Sequence, residues 1–267
     1  MTKWTEDEVE FLKENASTMS SNDIADELGR TQSSVKHYAR RHDISLEKPH
    51  SVYSDKISKS KRKYDFDEDF FSRNNSAAYY WAGALEADGC VRERGPNSHT
   101  IDMRISKKDR SWLEQFREAL QAGHPIRKDR DFVSFKVHSN RMFEDLEDLG
   151  IVPRKTYKNI TPDIPDQYVY DYIRGIFDGD GTICKKASKK WDAYKVGLVN
   201  SEAVCKWIDK KLDFSCSLYP DNQSVAWRLE TADRENIKKF AVLIYDGAEY
   251  YMKRKHQRFI DYGMMGV

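Results

Sequence analysis

A short motif occurs twice in this chain of 267 residues, and the repeat constrains the fold more than any other feature of the sequence. The first copy, YYWAGALEADGCV, spans residues 79–91, and the second copy, DYIRGIFDGDGTI, spans residues 171–183. Both follow the order apolar-Gly-x-x-acid-small-Asp-Gly, and Asp88 precedes Asp180 by 92 residues. A repeat of this length is typical of a protein built from similar structural units. We therefore expect two related halves.

The sequence after each motif follows the same plan. Two strand-like runs, a helix, two further strand-like runs and a second helix come after both copies. In the first half Ile101, Met103 and Ile105 alternate with polar residues, and the stretch 225–230 has the same period of two in the second half. Such alternation is typical of half-buried strands. We predict that each half is an antiparallel sheet with one apolar face on helices and one polar, partly basic face.

The two motifs, together with this αββαββα pattern, resemble the LAGLIDADG homing endonuclease family in its single-chain, two-repeat form. The resemblance covers about residues 76–262. It implies an α+β fold in which repeats at 76–165 and 166–267 form one domain with pseudo-twofold symmetry. The chain departs from the motif at four positions but keeps both final Asp-Gly pairs; the departures are Trp81, Ala84, Glu86 and Arg174.

Small residues recur four positions apart in both motif helices. Gly83 is followed by Ala87, and Gly175 is followed by Gly179. Residues at this spacing lie on one face of a helix, and the absence of large side chains allows two helix backbones to approach closely. We therefore predict that the motif helices pack against each other at the centre of the domain.

The two aspartates come at the last turn of these predicted helices. We expect Gly89 and Gly181 to end the helices in the left-handed conformation. A carboxylate at a helix C-terminus opposes the helix dipole, and two such carboxylates side by side resist joint ionisation. The alternative, in which Asp88 and Asp180 only solvate two helix ends, does not explain why this unfavourable placement occurs twice.

A divalent cation would relieve this repulsion. A Ca²⁺ loop of the EF-hand type is excluded, because Ile183 and Lys189 stand where that loop requires Gly and Glu. A few hard oxygen ligands open to solvent and phosphate suit Mg²⁺. We predict a site for two or more divalent ions, formed by Asp88, Asp180, Ala87 and Gly179.

The resemblance implies a site-specific DNA endonuclease that makes a staggered double-strand cut by metal-dependent phosphodiester hydrolysis. It also implies a basic residue near each cut, for which we select Lys155 and Lys255, with Lys253 and Arg254 as rivals. The paired sheets would lie over double-stranded DNA. Their predicted DNA contacts are Arg92, Arg94, Arg104, Lys136, Lys185, Lys195 and Arg228.

The first 45 residues predict a separate three-helix unit. Thr5 with Glu8 forms a capping box, Ser20 or Ser21 can cap the second helix, and Thr31 can cap the third. The stretch 24–44 resembles the helix-turn-helix family. The resemblance implies that the third helix enters the major groove and contacts DNA through Gln32, Ser33, Lys36, His37 and Arg40. The alternative is a three-helix bundle that binds protein or nothing.

A basic linker at residues 46–75 is predicted to join the two parts. The stretch from Lys36 to Lys63 contains nine Lys and Arg residues and three acidic residues, which gives it a net charge of +6, although the whole chain carries a net charge of only +1. We expect a flexible arm that follows DNA phosphates. A solvated linker with lysines for solubility is the simpler alternative.

The remaining sequence features limit the class of protein. No run of eighteen apolar residues and no signal peptide is evident, and the four cysteines lack zinc or disulfide spacing. We expect a soluble, cytoplasmic monomer with reduced thiols and no membrane partner. Two other classes stay open: a DNA-binding regulator or intron-splicing maturase that does not cleave, and a helical protein-interaction module.

Overall fold

The computed structural model describes residues 4–19, 21–46, 63–95, 98–186, 193–222 and 224–266. The chain divides into two compact units, Met1–Asp65 and Phe66–Val267, which are described separately below. The predicted cap at Ser20 and most of the predicted linker lie outside the described residues.

The first unit contains three helices around a small core. They are α1 (Glu6–Asn15), α2 (Ser21–Glu27) and α3 (Gln32–Arg41). The predicted capping box is confirmed, because Thr5 N donates to Glu8 Oε2 at 2.8 Å and Glu8 N donates to Thr5 Oγ1 at 3.3 Å. Gly29 has a φ of +59° in the turn between α2 and α3, a conformation that favours glycine. The buried core residues are Leu12, Ile24, Ala25, Val35 and Ala39.

The second unit contains two copies of the predicted αββαββα repeat. The first copy consists of α4 (Ser76–Asp88), β1 (Gly89–Gly95), β2 (Ser98–Ser106), α5 (Arg110–Ala119), β3 (Arg127–Asp129), β4 (Phe132–His138) and α6 (Asn140–Asp148). A short helix, α7 (Lys155–Lys158), follows it. The second copy consists of α8 (Val169–Asp180), β5 (Thr182–Lys186), β6 (Ala193–Asn200), α9 (Glu202–Lys211), β7 (Ser217–Pro220), β8 (Trp227–Thr231) and α10 (Arg234–Tyr245), followed by α11 (Lys253–Asp261).

Both repeats form the same four-stranded antiparallel sheet. The strand orders are β1-β2-β4-β3 and β5-β6-β8-β7. The predicted alternation is confirmed in β2, where Ile101, Met103 and Ile105 are buried. In the second sheet the alternation begins at Trp227, because Val225 precedes β8 and is 69% exposed.

The motif helices α4 and α8 pack against each other with their backbones in contact, as predicted from the small residues. A Cβ atom on Gly83 would collide with the carbonyl oxygen of Tyr172, and one on Gly175 would collide with that of Tyr80 and lie 2.6 Å from Ala84 N. Each glycine therefore faces the backbone of the other helix. Larger residues would force the two helices apart.

The prediction that Gly89 and Gly181 end the motif helices in the left-handed conformation is wrong. Gly89 has φ −82° and ψ 153°, and Gly181 has φ −75° and ψ 155°, so both are extended and lead directly into strands. Glycine is needed there for a different reason. A Cβ on Gly89 would lie 2.5 Å from Leu85 O, and one on Gly181 would collide with the carbonyl oxygen of Phe177.

The second unit begins earlier than the predicted start of the first repeat. Residues 66–75, which the sequence assigned to the linker, include a turn of 3₁₀ helix at Phe70–Ser72. Phe70 and Phe71 are buried in the core of this unit, and this burial places the segment within the fold. In the described part of the chain, no helix is long and apolar enough to cross a membrane.

We predict that Gly175→Leu lowers the free energy of unfolding by about 1–3 kcal/mol, the usual cost of overpacking. The new side chain would meet backbone atoms of α4, which cannot move aside as a flexible side chain can. Thermal unfolding compares the variant with the parent, and Gly95→Ala is the control because a Cβ there meets no atom within 4 Å. A melting temperature for Gly175→Leu at or above that of the parent would contradict the close helix contact.

Candidate active site

The two motif aspartates end two helices that are in contact. Asp88 is the last residue of α4, Asp180 is the last residue of α8, and both are half-buried. A Cβ on Gly179 would lie 3.3 Å from Asp88 Oδ2, which shows how close the end of α8 comes to this carboxylate. Asn200 at the end of β6 donates to Asp180 Oδ2 at 3.1 Å. The packing of α4 on α8 thus brings both acids to one place.

The environment disfavours ionisation of both carboxyl groups. Burial, followed by the nearby charge of Asp88, raises the pKa of Asp180 to about 7. Burial also raises the pKa of Asp88, and Lys255 and Lys155 oppose this rise. Since the charged form of a buried acid lacks hydration, each carboxylate is less stable here than in water. The smaller contribution at Asp180, from the charge of Asp88, is the repulsion that we expected from the motif spacing.

The structure brings both predicted catalytic lysines to the same place. Lys155 Nζ donates to Gly89 O at 2.8 Å, directly after the end of α4. Lys255 Nζ donates to the carbonyl oxygens of Phe177 and Gly179 at 2.8 Å each, at the end of α8. Lys255 is 4% exposed, and burial lowers its pKa to about 8. A role for the two lysines in catalysis remains a prediction.

The two rival basic residues have other surroundings. Arg254 donates to both carboxylate oxygens of Asp109 at 2.9 and 3.0 Å, so its guanidinium is already engaged. Lys253 is exposed at the start of α11. Lys255 therefore remains the selected residue of this segment.

The first acids of the two motifs have different environments. Asp178 is fully buried and accepts hydrogen bonds from Tyr80 Oη at 2.7 Å, Tyr245 Oη at 2.6 Å and Met252 N at 2.8 Å. Glu86 is 8% exposed, and burial raises its pKa to about 8, with Lys155 opposing the rise. Asp178 thus has a structural role, and its partners, Tyr80, Tyr245 and Met252, were not identified from the sequence.

The donor set fits a hard cation that retains water ligands. Among the described residues no side chain donates a hydrogen bond to Asp88, and only Asn200 donates to Asp180, so lone pairs of both carboxylates are free. No group of three or more acidic, histidine or cysteine side chains lies within range of a common ion in the described ranges. Two carboxylates that leave the rest of the shell to water and phosphate suit Mg²⁺. Gly179 was also predicted to contribute to the metal site, and its carbonyl oxygen already accepts a hydrogen bond from Lys255.

The polar face of the first sheet carries paired charges. Cys90, Asp102 and Lys136 are cross-strand neighbours on β1, β2 and β4. Asp102 lies between two predicted DNA contacts, 3.4 Å from Arg92 and 3.7 Å from Lys136. Arg104 on the same face pairs with Asp129 at 2.9 Å. Arg94 lies in β1, and its side chain is not described.

The second sheet repeats this arrangement with different residues. Glu230 accepts from Lys195 Nζ at 2.8 Å and from Tyr219 Oη at 2.7 Å, and Arg228 lies 3.8 Å away. Arg228 also pairs with Asp221 at 2.6 Å. Lys185 differs from the other predicted contacts, because it alternates with Cys184 and shares a face with the buried Ile183.

One of the predicted DNA contacts on α3, Gln32, already forms a hydrogen bond within the first unit. Gln32 Nε2 donates to Ser21 Oγ at 3.0 Å, which links α3 to α2. Ser33 is exposed, and Lys36, His37 and Arg40 are half-buried. Binding of these residues to DNA stays a prediction.

Some residues at the site had no signal in the sequence. Asn200 lies 20 residues beyond Asp180, and Asp109 pairs with Arg254 across 145 positions. The sequence indicated Arg174 solely as a departure from the motif, and its side chain is buried.

We predict that Asp180→Asn stabilises the metal-free protein at pH 8. Because the pKa of Asp180 is about 7 in the folded protein and about 4 in unfolded chains, folding opposes ionisation, and the cost is complete above pH 7 and disappears as the pH falls toward 4. The variant should gain on the order of 2–4 kcal/mol at pH 8 and less at pH 5, since one pKa unit equals about 1.4 kcal/mol.

Denaturant unfolding in EDTA at both pH values measures this gain. Asp261→Asn is the control, because Asp261 is exposed at the end of α11. A gain for Asp180→Asn that is equal at pH 5 and pH 8 would rule out the proposed electrostatic origin.

Comparison with known proteins identifies the fold. No family model and no curated protein matches the sequence. Among solved structures, the LAGLIDADG homing endonuclease I-GzeII in complex with its DNA target has a TM-score of 0.53 at 11% identity, covering 72% of this chain and 89% of that chain. The meganuclease I-SmaMI bound to uncleaveable DNA has a TM-score of 0.54 at 11% identity, covering 69% of this chain and 88% of that chain. The LAGLIDADG homing endonuclease I-LtrWI bound to target DNA has a TM-score of 0.52 at 11% identity, covering 71% of this chain and 89% of that chain. Over 69 to 72% of its length, the chain therefore has the fold of the LAGLIDADG homing endonucleases.

Proposed function

We propose that this protein is a site-specific DNA endonuclease of the LAGLIDADG homing type, which makes a staggered double-strand cut by hydrolysis with Mg²⁺. The observation that carries the proposal is the pair of Asp88 and Asp180 at two helix ends in contact. Burial, with a smaller contribution from the charge of Asp88, raises the pKa of Asp180 to about 7. A protein gains no stability from such a pair. Strongly perturbed acids in this arrangement are typical of functional sites.

Asp88 and Asp180 would hold the metal ions, with two or more ions shared between them. Bound Mg²⁺ would supply positive charge beside the phosphate and make water a better nucleophile. Lys155 and Lys255 lie at the ends of α4 and α8, where their ammonium groups can stabilise negative charge that develops on phosphate oxygens. Each helix end would serve one DNA strand, and this arrangement accounts for two cuts.

The polar faces of the two sheets would bind double-stranded DNA. Their basic residues are held by carboxylates in the free protein, with Asp102 in the first sheet and Glu230 in the second. A phosphate can replace a carboxylate as the partner of Arg92 or Lys195 without a large movement of the side chain. Guanidinium groups can also bond guanine, and carboxylates can accept from the amino group of cytosine. Lys185 is a weaker candidate because it lies on the other face.

The three-helix unit would add a second DNA contact of the helix-turn-helix type. Thr31 caps α3, and Ser33, Lys36, His37 and Arg40 follow along this helix. The basic stretch that continues to Lys63 would contact phosphates. A monomer suffices in this proposal, because one chain contains both repeats. The four cysteines are free thiols, in keeping with a reducing compartment.

A regulator or maturase without nuclease activity is the less favoured candidate. Such a protein has no need for two carboxylates that oppose the helix dipoles at adjacent helix ends, yet both motifs retain the final aspartate. A protein-interaction module accounts for neither the acids nor the basic sheet faces.

We predict that Asp88→Asn or Asp180→Asn abolishes double-strand cleavage and changes DNA affinity by no more than a few-fold. Both acids are proposed to bind metal, so their loss should affect hydrolysis far more than binding. A plasmid library of candidate sites incubated with Mg²⁺ measures cleavage, and the selected duplex in Ca²⁺ measures affinity. The structure of I-SmaMI bound to uncleaved DNA in the presence of calcium ions motivates this choice of cation.

Asp261→Asn provides the matched control for this assay. It makes the same substitution at the last residue of another helix, and we expect full cleavage. Full double-strand cutting by either motif variant would refute the assigned site, and a parent protein that cuts no library member would refute the nuclease function.

We also predict that deletion of residues 1–63 weakens DNA binding and flattens its dependence on salt. Each lost phosphate contact should reduce the slope of log K against log salt by about 0.9. The remaining repeats should still cut at high enzyme concentration. Titrations of the selected duplex at several salt concentrations measure the slope, and Lys36→Ala with Arg40→Ala tests α3 alone. An unchanged slope after deletion would contradict a DNA-binding role for the N-terminal part.

A further inference from the structure

A buried arginine holds the segment that leads to Lys255. Arg174 in α8 donates from Nε to Tyr250 O and from Nη1 to Ile244 O, at 2.9 Å each. Its Nη2 donates to Asp171 Oδ1 at 2.6 Å, and its side chain is only 6% exposed. The guanidinium therefore connects α8 to the last turn of α10 and to Tyr250 in the loop at residues 246–252. This loop joins α10 to α11, which carries Lys255.

Three further contacts fix the end of this loop. Met252 N donates to Asp178 Oδ2 at 2.8 Å, and Gln115 Nε2 donates to Tyr251 O at 3.3 Å. Arg254 forms its two hydrogen bonds with Asp109. Since Gln115 and Asp109 belong to the first repeat, the start of α11 is held by both repeats. Lys255 Nζ is thereby placed on the carbonyl oxygens at the end of α8.

Lys155 in the other half has a weaker support. It begins the four-residue helix α7, which has non-glycine residues with positive φ on both sides, Arg154 at +59° and Asn159 at +48°. Ala203 N donates to Asn159 Oδ1 at 2.7 Å, and Tyr157 within α7 is 78% exposed. The first motif has Ala82 at the position equivalent to Arg174, so the arginine anchor exists in only one half.

The cost of burying Arg174 indicates that its contacts matter. A buried guanidinium loses its hydration, and the loss is offset only when a carboxylate and further acceptors surround it. Asp171 and the two carbonyl oxygens provide these acceptors, and the ring of Tyr80 lies 4.9 Å from the guanidinium carbon. A small apolar residue, as at Ala82, would fill a helix position without this cost. The presence of Arg174 is therefore explained by the contacts that it makes with the loop.

We propose that Arg174 is a positioning residue that holds the loop at residues 246–252 and so fixes Lys255 beside the end of α8. The inference rests on the proposed nuclease function. It implies that the two halves of the site are unequally preorganised, with the half at α8 rigid and the half at α4 less constrained. Loss of Arg174 therefore slows hydrolysis of the strand served by Lys255 more than that of the other strand.

The first test measures the anchor without any reaction. Hydrogen exchange of the full-length protein, free of DNA and metal, is compared for the parent, Arg174→Met, Arg174→Lys and Arg141→Met. We expect the amides of residues 250–256 to exchange at least about tenfold faster in Arg174→Met, because local opening becomes easier. Arg174→Lys should lie between that variant and the parent. Arg141→Met removes an arginine paired with Asp69 in the first repeat and should leave these amides unchanged.

The second test follows each DNA strand separately. The duplex selected from the plasmid library of candidate sites carries a different end label on each strand, and single-turnover cleavage is measured with Mg²⁺. We expect Arg174→Met to slow one strand by about tenfold or more relative to the other, because small displacements of a catalytic group have large effects on rate. Lys255→Met should slow the same strand, and Lys155→Met should slow the opposite strand more.

The outcomes separate this proposal from the nuclease function. If the amides of residues 250–256 exchange at the parent's rate in Arg174→Met, Arg174 does not hold the loop. If cleavage of both strands slows equally, Arg174 does not act through Lys255. Faster exchange together with slowing of the Lys255 strand supports the proposal. If the parent protein cuts no duplex in the library, the nuclease function fails, and with it the proposed role in hydrolysis, whatever the exchange data show for the loop.

Discussion

The direct backbone contact between α4 and α8 is the constraint on which the rest of the larger unit depends. Gly83 and Gly175 face each other's helices, and neither position has room for a Cβ. This contact places the two repeats side by side and brings the C-terminal ends of both helices together. Because Asp88 and Asp180 are the last residues of these helices, the two aspartates lie close together. Close packing and the proximity of like charges are two consequences of the same glycines.

That proximity has an electrostatic cost, which the surroundings reduce but do not remove. Lys255 donates to two carbonyl oxygens at the end of α8, where a positive charge is favourable to the helix dipole. Its charge also opposes the rise in the pKa of Asp88 and Asp180. Burial nevertheless dominates, raising the pKa of Asp180 to about 7 and lowering that of Lys255 to about 8. The metal-free site is therefore shifted toward neutral forms, and a divalent cation would favour the ionised acids.

Repulsion between like charges also concerns the polar faces of the two sheets. A surface that binds a polyanion needs basic residues, yet unpaired cations on neighbouring strands repel each other. Asp102 and Glu230 each lie between two basic side chains, and the negative charge of each carboxylate reduces this repulsion. This interspersed pattern also explains how a chain with a net charge of only +1 can present basic faces. The net charge of the chain is therefore a poor guide to the local charge of these faces.

Sequence alone determined the repeated αββαββα pattern, the contact of the motif helices and the convergence of Asp88 with Asp180. These features depend on spacing along one helix or strand, where the periods of 3.6 and 2 residues decide which side chains share a face. The sequence also selected Lys155 and Lys255, but their orientation required the fold. Only the tertiary structure decided that Gly89 and Gly181 are extended, because neighbouring residues allow both conformations until the strands β1 and β5 are in place. Likewise, Tyr245, which donates to Asp178, and Ile244, which accepts from Arg174, lie in α10 about 70 residues away, and no local pattern encodes contacts across such distances.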